Sequence, residues 1–155
     1  FPVFVLQRRQ DATWRESQAD YFRPVPGGMA VSLNAPGAVR VAAVLTPWTV
    51  RISDAVDVAD AVTDTRLRTR IAAGGGRRAT VRVSAANRPL AAVPVHVLSP
   101  LRGVPPKTLT TDVAGRLMLD DVTEPGVLLE VPGFKQIRVA LDAAEVSVTL
   151  RRDEG

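Results

Sequence analysis

The sequence contains no cysteine, so neither a disulfide framework nor a thiolate metal site is available to it. This absence favours a cytoplasmic or particle-associated chain, although secreted bacterial proteins without cysteine are also common. No run of about 18 apolar residues occurs, so no segment is predicted to span a membrane as a helix. The numbering begins at Phe1 rather than at a methionine, which is typical of a processed or trimmed chain.

Histidine is almost absent, because His96 is the single one among 155 residues. This count excludes a histidine-rich metal site and leaves too few histidines for a transthyretin-like hydrolase. A Ser-His-Asp triad would require His96, but no nucleophile elbow surrounds Ser84 or Ser99. His96 alternates with Val95 and Val97, so we expect it on the outward face of a strand. The sequence therefore predicts a non-enzyme with no catalytic residue, no cofactor and no metal.

Lysine and aromatic residues are also scarce. The two lysines are Lys107 and Lys135, so nearly all of the 20 basic residues are arginine. The formal net charge is +4, but arginine with abundant alanine and valine is typical of a GC-rich genome, so charge alone does not indicate a nucleic-acid partner. Aromatic residues make up 5% of the chain, so the core must come from Val, Leu, Ala and Ile, and valine favours strands.

Short alternating segments separated by turn residues fill the second half of the chain. Seven strands are predicted there, at Ala79–Ala85, Val93–Leu98, Thr108–Thr111, Leu117–Leu119, Val127–Val131, Gln136–Leu141 and Val146–Leu150. This spacing is typical of a β-sandwich, and the long helices of a parallel α/β fold are missing from the pattern. Within "TTDVAGRLML", Asp112 is expected to bond its own backbone and Gly115 to take a positive φ. The stretch would then be a hairpin that pairs the strands on either side of the turn.

Five pieces of this half follow one another in a recognisable order: "RPLAAVPVHVL", "TTDVAGRLML", "PGVLLEV", "PGFKQIRVAL" and "EVSVTL". In that order and spacing, Ala79 to Arg151 resembles the carboxypeptidase regulatory-like family, whose fold is a small prealbumin-like sandwich. Leu117 stands where the family commonly has Phe or Tyr, and the "SPLRGVPPK" loop is longer than usual. The resemblance implies a non-catalytic module that folds, spaces or binds a neighbour.

The first half does not match the family and is predicted to be a second β-rich region, either a layer or another small sandwich. Its strands are expected at Phe1–Gln7, Met29–Leu33, Val39–Leu45, Trp48–Ile52 and Arg66–Ile71. A long excursion occupies residues 8–28, and Asp11–Phe22 within it has the pattern of a short helix capped by Asp11. Ser53–Asp64 fits helical and strand spacing equally, so both remain open.

The predicted fold class is therefore all-β, with a seven-stranded C-terminal sandwich. The predicted domains are residues 1–73, a glycine-rich linker or turn at 74–78, the sandwich at 79–151 and a tail at 152–155. Two acidic clusters, one of Asp54, Asp57, Asp60 and Asp64 and one of Asp120, Asp121 and Glu124, lack the spacing of a calcium loop. Both are expected to be solvated surface.

Two sets of residues are candidates for contact with a partner. Trp14, Tyr21 and Phe22 lie in the excursion and are anchors of the kind that dominates interfaces, although Trp14 fits packing on its own sheet equally well. The second set is an arginine stripe on one strand face, formed by Arg66, Arg68 and Arg70. Such a stripe either protects a strand edge or binds the carboxylates of an acidic partner.

These patterns predict a structural or adaptor module that acts through protein–protein contacts in a larger assembly, such as a phage-tail-like particle. Its partner would be another protein or a second copy, with neither nucleic acid nor membrane as a partner. The alternative is an extracellular or cell-surface binding module, for example one that binds glycan. Glycan sites use exposed aromatic platforms, which are scarce here.

Overall fold

The computed structural model describes residues 3–16, 22–31, 36–58, 71, 75–101 and 103–153. Throughout these ranges the chain is strand, turn and loop with no helix, so the all-β prediction is confirmed. The chain divides into two compact units, Phe1–Val44 with Arg51–Ala73, and Leu45–Val50 with Gly74–Gly155. The domain bounds drawn from the sequence stay a prediction.

The described residues before the glycine-rich segment form the strands β1 (Val3–Gln10), β2 (Thr13–Glu16), β3 (Phe22–Val25), β4 (Gly28–Val31), β5 (Gly37–Thr46), β6 (Thr49–Ile52) and β7 (Val56–Val58). One sheet has the order β2-β1-β5-β6, with β7 also paired to β5, and β3 with β4 forms a separate hairpin. The first unit's buried apolar residues lie on β1 and β5: Val5, Leu6, Val39, Ala42, Ala43 and Val44. For Ser53–Asp64, whose spacing fitted both a helix and a strand, the strand alternative is correct at Val56–Val58. Residues 59–70 lie outside the described ranges.

The helix predicted within Asp11–Phe22 is wrong for residues 11–16, where a hairpin reverses the chain, and residues 17–21 lie outside the described ranges. Asp11 and Ala12 have φ values of 50° and 67°, the conformation of a two-residue turn between antiparallel strands. β2 then pairs with the end of β1, with Trp14 opposite Arg9. Asp11 therefore lies in the turn of a hairpin and does not cap a helix.

Eight strands follow: β8 (Arg77–Ala85), β9 (Arg88–Pro89), β10 (Pro94–Leu98), β11 (Lys107–Thr110), β12 (Arg116–Val122), β13 (Gly126–Glu130), β14 (Ile137–Ala140) and β15 (Glu145–Thr149). One sheet has the order β12-β8-β15 with β9 on β8, and the other has the order β11-β10-β13-β14. Alternate residues of both sheets share one buried cluster, for example Val81, Val83, Val95 and Val97. All seven strands predicted for this half are present, with ends that differ by up to three residues.

The predicted hairpin in "TTDVAGRLML" is wrong, although its turn chemistry is right. Asp112 Oδ1 accepts hydrogen bonds from the N–H groups of Ala114, at 2.9 Å, and Arg116, at 2.8 Å, and Gly115 has a φ of 77°. However, β11 pairs with β10 and β12 pairs with β8, so the turn carries the chain from one sheet to the other. Turn residues reverse the direction of a chain without selecting the strand that it next joins.

The tip of the β5–β6 hairpin belongs to the second unit, and Trp48 is part of that unit's buried cluster at 4% exposure. Its indole Nε1 donates to the backbone oxygen of Asp120 at 2.8 Å. The backbone oxygen of Trp48 accepts from Thr123 N and Glu124 N at 3.0 and 3.3 Å, and Val50 N donates to Thr123 Oγ1 at 2.7 Å. A residue expected to lie in a strand of the first half is thus a core residue of the second unit.

Candidate protein-interaction site

Polar and aromatic side chains share one face at the end of the first unit's sheet. In the β1–β2 ladder Arg9 is opposite Trp14, and in the β1–β5 ladder Gln7 is opposite Arg40. Directly opposed residues of an antiparallel pair point to the same side of the sheet, and residues two apart on one strand do so as well. Arg9, Trp14, Gln7 and Arg40 therefore lie on a common face.

The indole of Trp14 contacts two guanidinium groups on this face. The guanidinium carbon of Arg40 lies 4.4 Å from the ring centroid, and that of Arg9 lies 5.1 Å from it. Both distances are within the range of cation–π attraction. Arg40 Nε also donates to Gln7 Oε1 at 2.6 Å, which fixes the orientation of its side chain. We call Arg9, Trp14 and Arg40 the Arg–Trp–Arg cluster.

The cluster concentrates positive charge, and neither of its arginines is in an ion pair with a described residue, although Glu16 lies opposite Gln7 on the same face. Burial lowers the pKa of Arg40, and the positive charge of Arg9 lowers it further, although an arginine with such a pKa remains charged at neutral pH. The ion pairs between described residues join Arg78 to Asp120, Arg82 to Glu145 and Arg116 to Asp112, and none includes Arg9 or Arg40. An anionic group placed beside the half-buried indole would therefore meet two guanidinium groups at once.

Of the residues predicted to contact a partner, the structure places Trp14 in this cluster. Phe22 begins β3, and its predicted role stays a prediction. The other predicted contacts, Tyr21, Arg66, Arg68 and Arg70, lie outside the described residues. Arg9 and Arg40 were not identified from the sequence, because the pairing of β2 and β5 with β1 brings them to the indole. The alternation of Gln7 with Arg9 along β1 was the available signal.

The histidine considered from the sequence as a catalytic candidate lies in a strand and contacts a threonine hydroxyl. His96 lies between the fully buried Val95 and Val97, as predicted, and its Nδ1 is 2.8 Å from Thr108 Oγ1. In the part of the chain that the structure describes, no three His, Cys, Asp or Glu residues come together as a set of metal ligands. The same residues include no helix long and apolar enough to cross a membrane.

Comparison with known proteins adds little to these observations. No protein-family model matches the chain, and no curated protein matches it. Among solved structures, the chain is similar to a mutant of the shaft pilin SpaA from Lactobacillus rhamnosus GG, with 6% sequence identity and a TM-score of 0.38. The match covers 97% of this chain and 84% of that one. Such a TM-score does not transfer a function, so what is established is an all-β chain with a β-sandwich in its second unit.

Proposed function

We propose that this chain is a non-enzymatic structural or adaptor module, and that it binds an acidic segment of a partner protein at the Arg–Trp–Arg cluster. The observation that supports this function is a half-buried indole contacted by two guanidinium groups, neither of which has a carboxylate partner among the described residues. Tryptophan and arginine provide most of the binding energy at protein interfaces, and arginine binds carboxylates through two hydrogen bonds at once.

The chemistry of the cluster favours an acidic protein over the other partners considered. A neutral sugar stacks on an exposed aromatic face, but guanidinium groups already lie over the ring of Trp14. Single-stranded nucleic acid requires several aromatic rings along a basic groove, and this cluster has one ring. A peptide carboxylate needs neither an uncovered aromatic face nor several rings, because it can bind the guanidinium edges while the indole supplies apolar contact.

We further propose that Ala79–Arg151 belongs to the carboxypeptidase regulatory-like family. The ordered sequence pieces described above support this assignment, as do the two facing sheets of the second unit. In such a protein the sandwich acts as a rigid, non-catalytic module, which agrees with a function through contact.

The test is calorimetric titration of the chain with eight-residue peptides of mixed Asp and Glu, compared with Asn and Gln peptides of the same order. We expect binding of the acidic peptides that weakens as salt is added. Trp14→Ala and Arg40→Gln should each weaken binding about tenfold, because they remove an anchor of the contact. The matched control is Arg138→Gln, which removes an exposed arginine on β14 and should leave the affinity unchanged.

Three outcomes would overturn the proposal: equal affinity for the neutral peptides, equal loss with Arg138→Gln, or no binding of the acidic set at low salt. Binding of a neutral oligosaccharide in place of acidic peptides would support the surface glycan-binding alternative instead.

A further inference from the structure

The outer edge of β15 is open in the second unit. β15 pairs in parallel with β8 on one side, and no described strand pairs with it on the other. Sheet edges are normally protected by prolines, charged residues or bulges. The other edge strands have such protection: Pro105, Pro106 and Lys107 at β11, Arg138 in β14, and the irregularity between Leu119 and Val122 in β12. The sequence of β15, "EVSVT", has neither a proline nor a bulge, and its one charged residue, Glu145, pairs with Arg82 of the neighbouring strand β8.

The hydrogen bonds to β8 show which backbone groups of β15 point outward. Ala144 O accepts from Thr80 N, and Leu150 N donates to Ser84 O, each at 2.8 Å. In a parallel ladder, alternate residues of a strand bond to a given neighbour, so the even-numbered residues of this segment bond to β8. The backbone N–H and C=O groups that point away from β8 belong to the odd-numbered residues, Glu145, Ser147 and Thr149.

The side chains of β15 also divide into an even-numbered set and an odd-numbered set. Val148 is buried and Val146 packs against the core cluster, so both hold β15 on the sandwich. The side chains of the odd-numbered residues are exposed on the outer face of the sheet. A strand added at this edge would therefore bond to β15 without disturbing its packing or its pairing with β8.

We propose that this edge pairs with the same edge of a second copy of the chain, antiparallel and centred on Ser147. Outward-pointing groups must meet outward-pointing groups, so odd-numbered residues must oppose odd-numbered residues. Centring on Ser147 uses all three of them, because Ser147 meets Ser147 and each Glu145 meets a Thr149, for about six backbone hydrogen bonds.

Other registers fit less well. Centring on Glu145 would oppose two carboxylates, which destabilises a strand pair. Shifting the register the other way would use Arg151, whose backbone oxygen already accepts from Lys135 N at 2.8 Å. Centring on Val146 or Val148 also opposes odd-numbered residues, but only two of the three in β15. One register thus uses every outward group of the strand, and the β12-β8-β15 sheets of the two copies become one continuous sheet.

This pairing is closed, because the two-fold axis uses the same β15 edge of both copies and leaves that edge with nothing further to pair. It buries little surface beyond one strand, so the dimer should be weak and depend on protein concentration. The inference goes beyond the binding of an acidic partner and does not depend on the Arg–Trp–Arg cluster, which lies in the other unit.

Sedimentation equilibrium over a range of protein concentrations tests the pairing. Ser147→Lys and Ser147→Glu each put two like charges face to face on the two-fold axis, so each variant alone should raise the dimer dissociation constant at least about tenfold. An equimolar mixture of the two variants should restore a dimer, because opposite charges then meet. The matched control is Met118→Lys, which adds a charge to an exposed site on β12 in the same sheet and should leave the dimer intact.

A second variant tests the backbone geometry. Ser147→Pro removes one outward N–H and leaves the hydrogen bonds between β15 and β8 in place, so it should abolish the dimer while the melting temperature changes little. Val148→Pro removes a bond to β8 and should destabilise the fold, which separates the two effects.

The inference is overturned if the unmodified chain stays monomeric up to about 1 mM, a concentration at which even weak edge pairing populates a dimer. It is also overturned if the Ser147 variants dimerise as the unmodified chain does, or if their mixture stays monomeric. Trp14→Ala should leave the dimer unchanged, and Ser147→Lys should leave acidic-peptide binding unchanged, so failure here is distinguishable from failure of the proposed function.

Discussion

The two tryptophans show how differently the two units use an aromatic residue. Trp14 is half-buried on a polar sheet face of the first unit, held by two arginines, whereas Trp48 is 4% exposed in the apolar cluster of the second. Both tryptophans precede the glycine-rich segment in the sequence, so position before the sandwich does not decide which of them is buried. What decides them is the neighbouring surface: charged strand residues leave Trp14 half-buried, and the surrounding valines and leucines bury Trp48.

The largest expected effect is at Trp48. Trp48→Ala should lower the free energy of unfolding by about 3–5 kcal/mol, because it leaves a cavity in the buried cluster. Trp48→Phe keeps most of the ring but loses the hydrogen bond to Asp120 O, so it should lose about 1–2 kcal/mol. Urea denaturation measures both. If the two variants lose the same amount, the bond rather than the packing holds this residue.

Gly115 comes next, because two effects add there. Its φ is 77°, and a Cβ would lie 2.6 Å from Val83 O, so Gly115→Ala should lose about 2–3 kcal/mol. Gly133→Ala is the matched control, since Gly133 has a φ of 86° and no atom within 4 Å of a built Cβ. It should lose about 1 kcal/mol from the backbone alone. Equal losses in thermal unfolding would show that the contact with Val83 relaxes without cost.

The turn between the sheets should make stability depend on acid. The backbone N–H of Arg116 holds the pKa of Asp112 below its usual range, aided by the Arg116 guanidinium and the N–H of Ala114. The stabilisation is therefore present above the ordinary aspartate pKa of about 3.9 and is lost as the pH falls through the lower, folded value. Asp112→Asn removes the titrating carboxyl and keeps the Oδ1 acceptor, so its melting temperature should lose this dependence on acid. Asp112→Ala also removes the acceptor, so it should melt at a lower temperature than Asp112→Asn at pH 7. An unchanged pH profile in Asp112→Asn would contradict this role.

Trp14→Ala should affect stability less than Gly115→Ala or Trp48→Ala. Removing two cation–π contacts at a half-exposed site costs about 1 kcal/mol. The same change is expected to weaken acidic-peptide binding about tenfold, so binding falls more than melting temperature does. A large drop in melting temperature with no change in binding would make Trp14 a core residue and remove the contrast with Trp48.

Glu124 gives the smallest expected effect. Burial raises the pKa of its carboxyl, so ionisation costs folding free energy as the pH rises from the ordinary glutamate pKa through the folded value. Glu124→Gln should therefore stabilise the chain at pH 7 by at most about 0.5 kcal/mol, since the side chain is half exposed. The gain should vanish below about pH 4, where the unfolded chain is protonated as well. A gain that persists in acid would point to a cause other than charge.

The second unit could largely be predicted from the sequence, because apolar alternation marked its strands and Gly, Pro and Asp marked its turns. The pairing across Asp112–Gly115 could not, since the same turn fits a hairpin or a crossing between sheets. In the first unit the hairpin at Asp11 and Ala12 was not predicted, because neither residue is the glycine that usually marks positive φ values. In the candidate site, Trp14 was among the residues predicted to contact a partner, and that role stays a prediction. Arg9 and Arg40 could not be named, because they reach Trp14 through strand pairing that spans up to 33 residues.

β8 is the middle strand of its sheet, yet neither of its long neighbours is close to it along the chain. β8 ends at Ala85, β12 begins at Arg116, and β15 is complete at Thr149. As the polypeptide leaves the ribosome, β8 therefore has only the two-residue strand β9 to pair with until much of the sequence has been synthesised. Contacts over such sequence separations slow folding, and the unpaired strand edges can meanwhile pair with other nascent chains. Translation that stops short of Thr149 would leave a sheet with one side unfinished, and we expect such truncated chains to aggregate or to need chaperone protection.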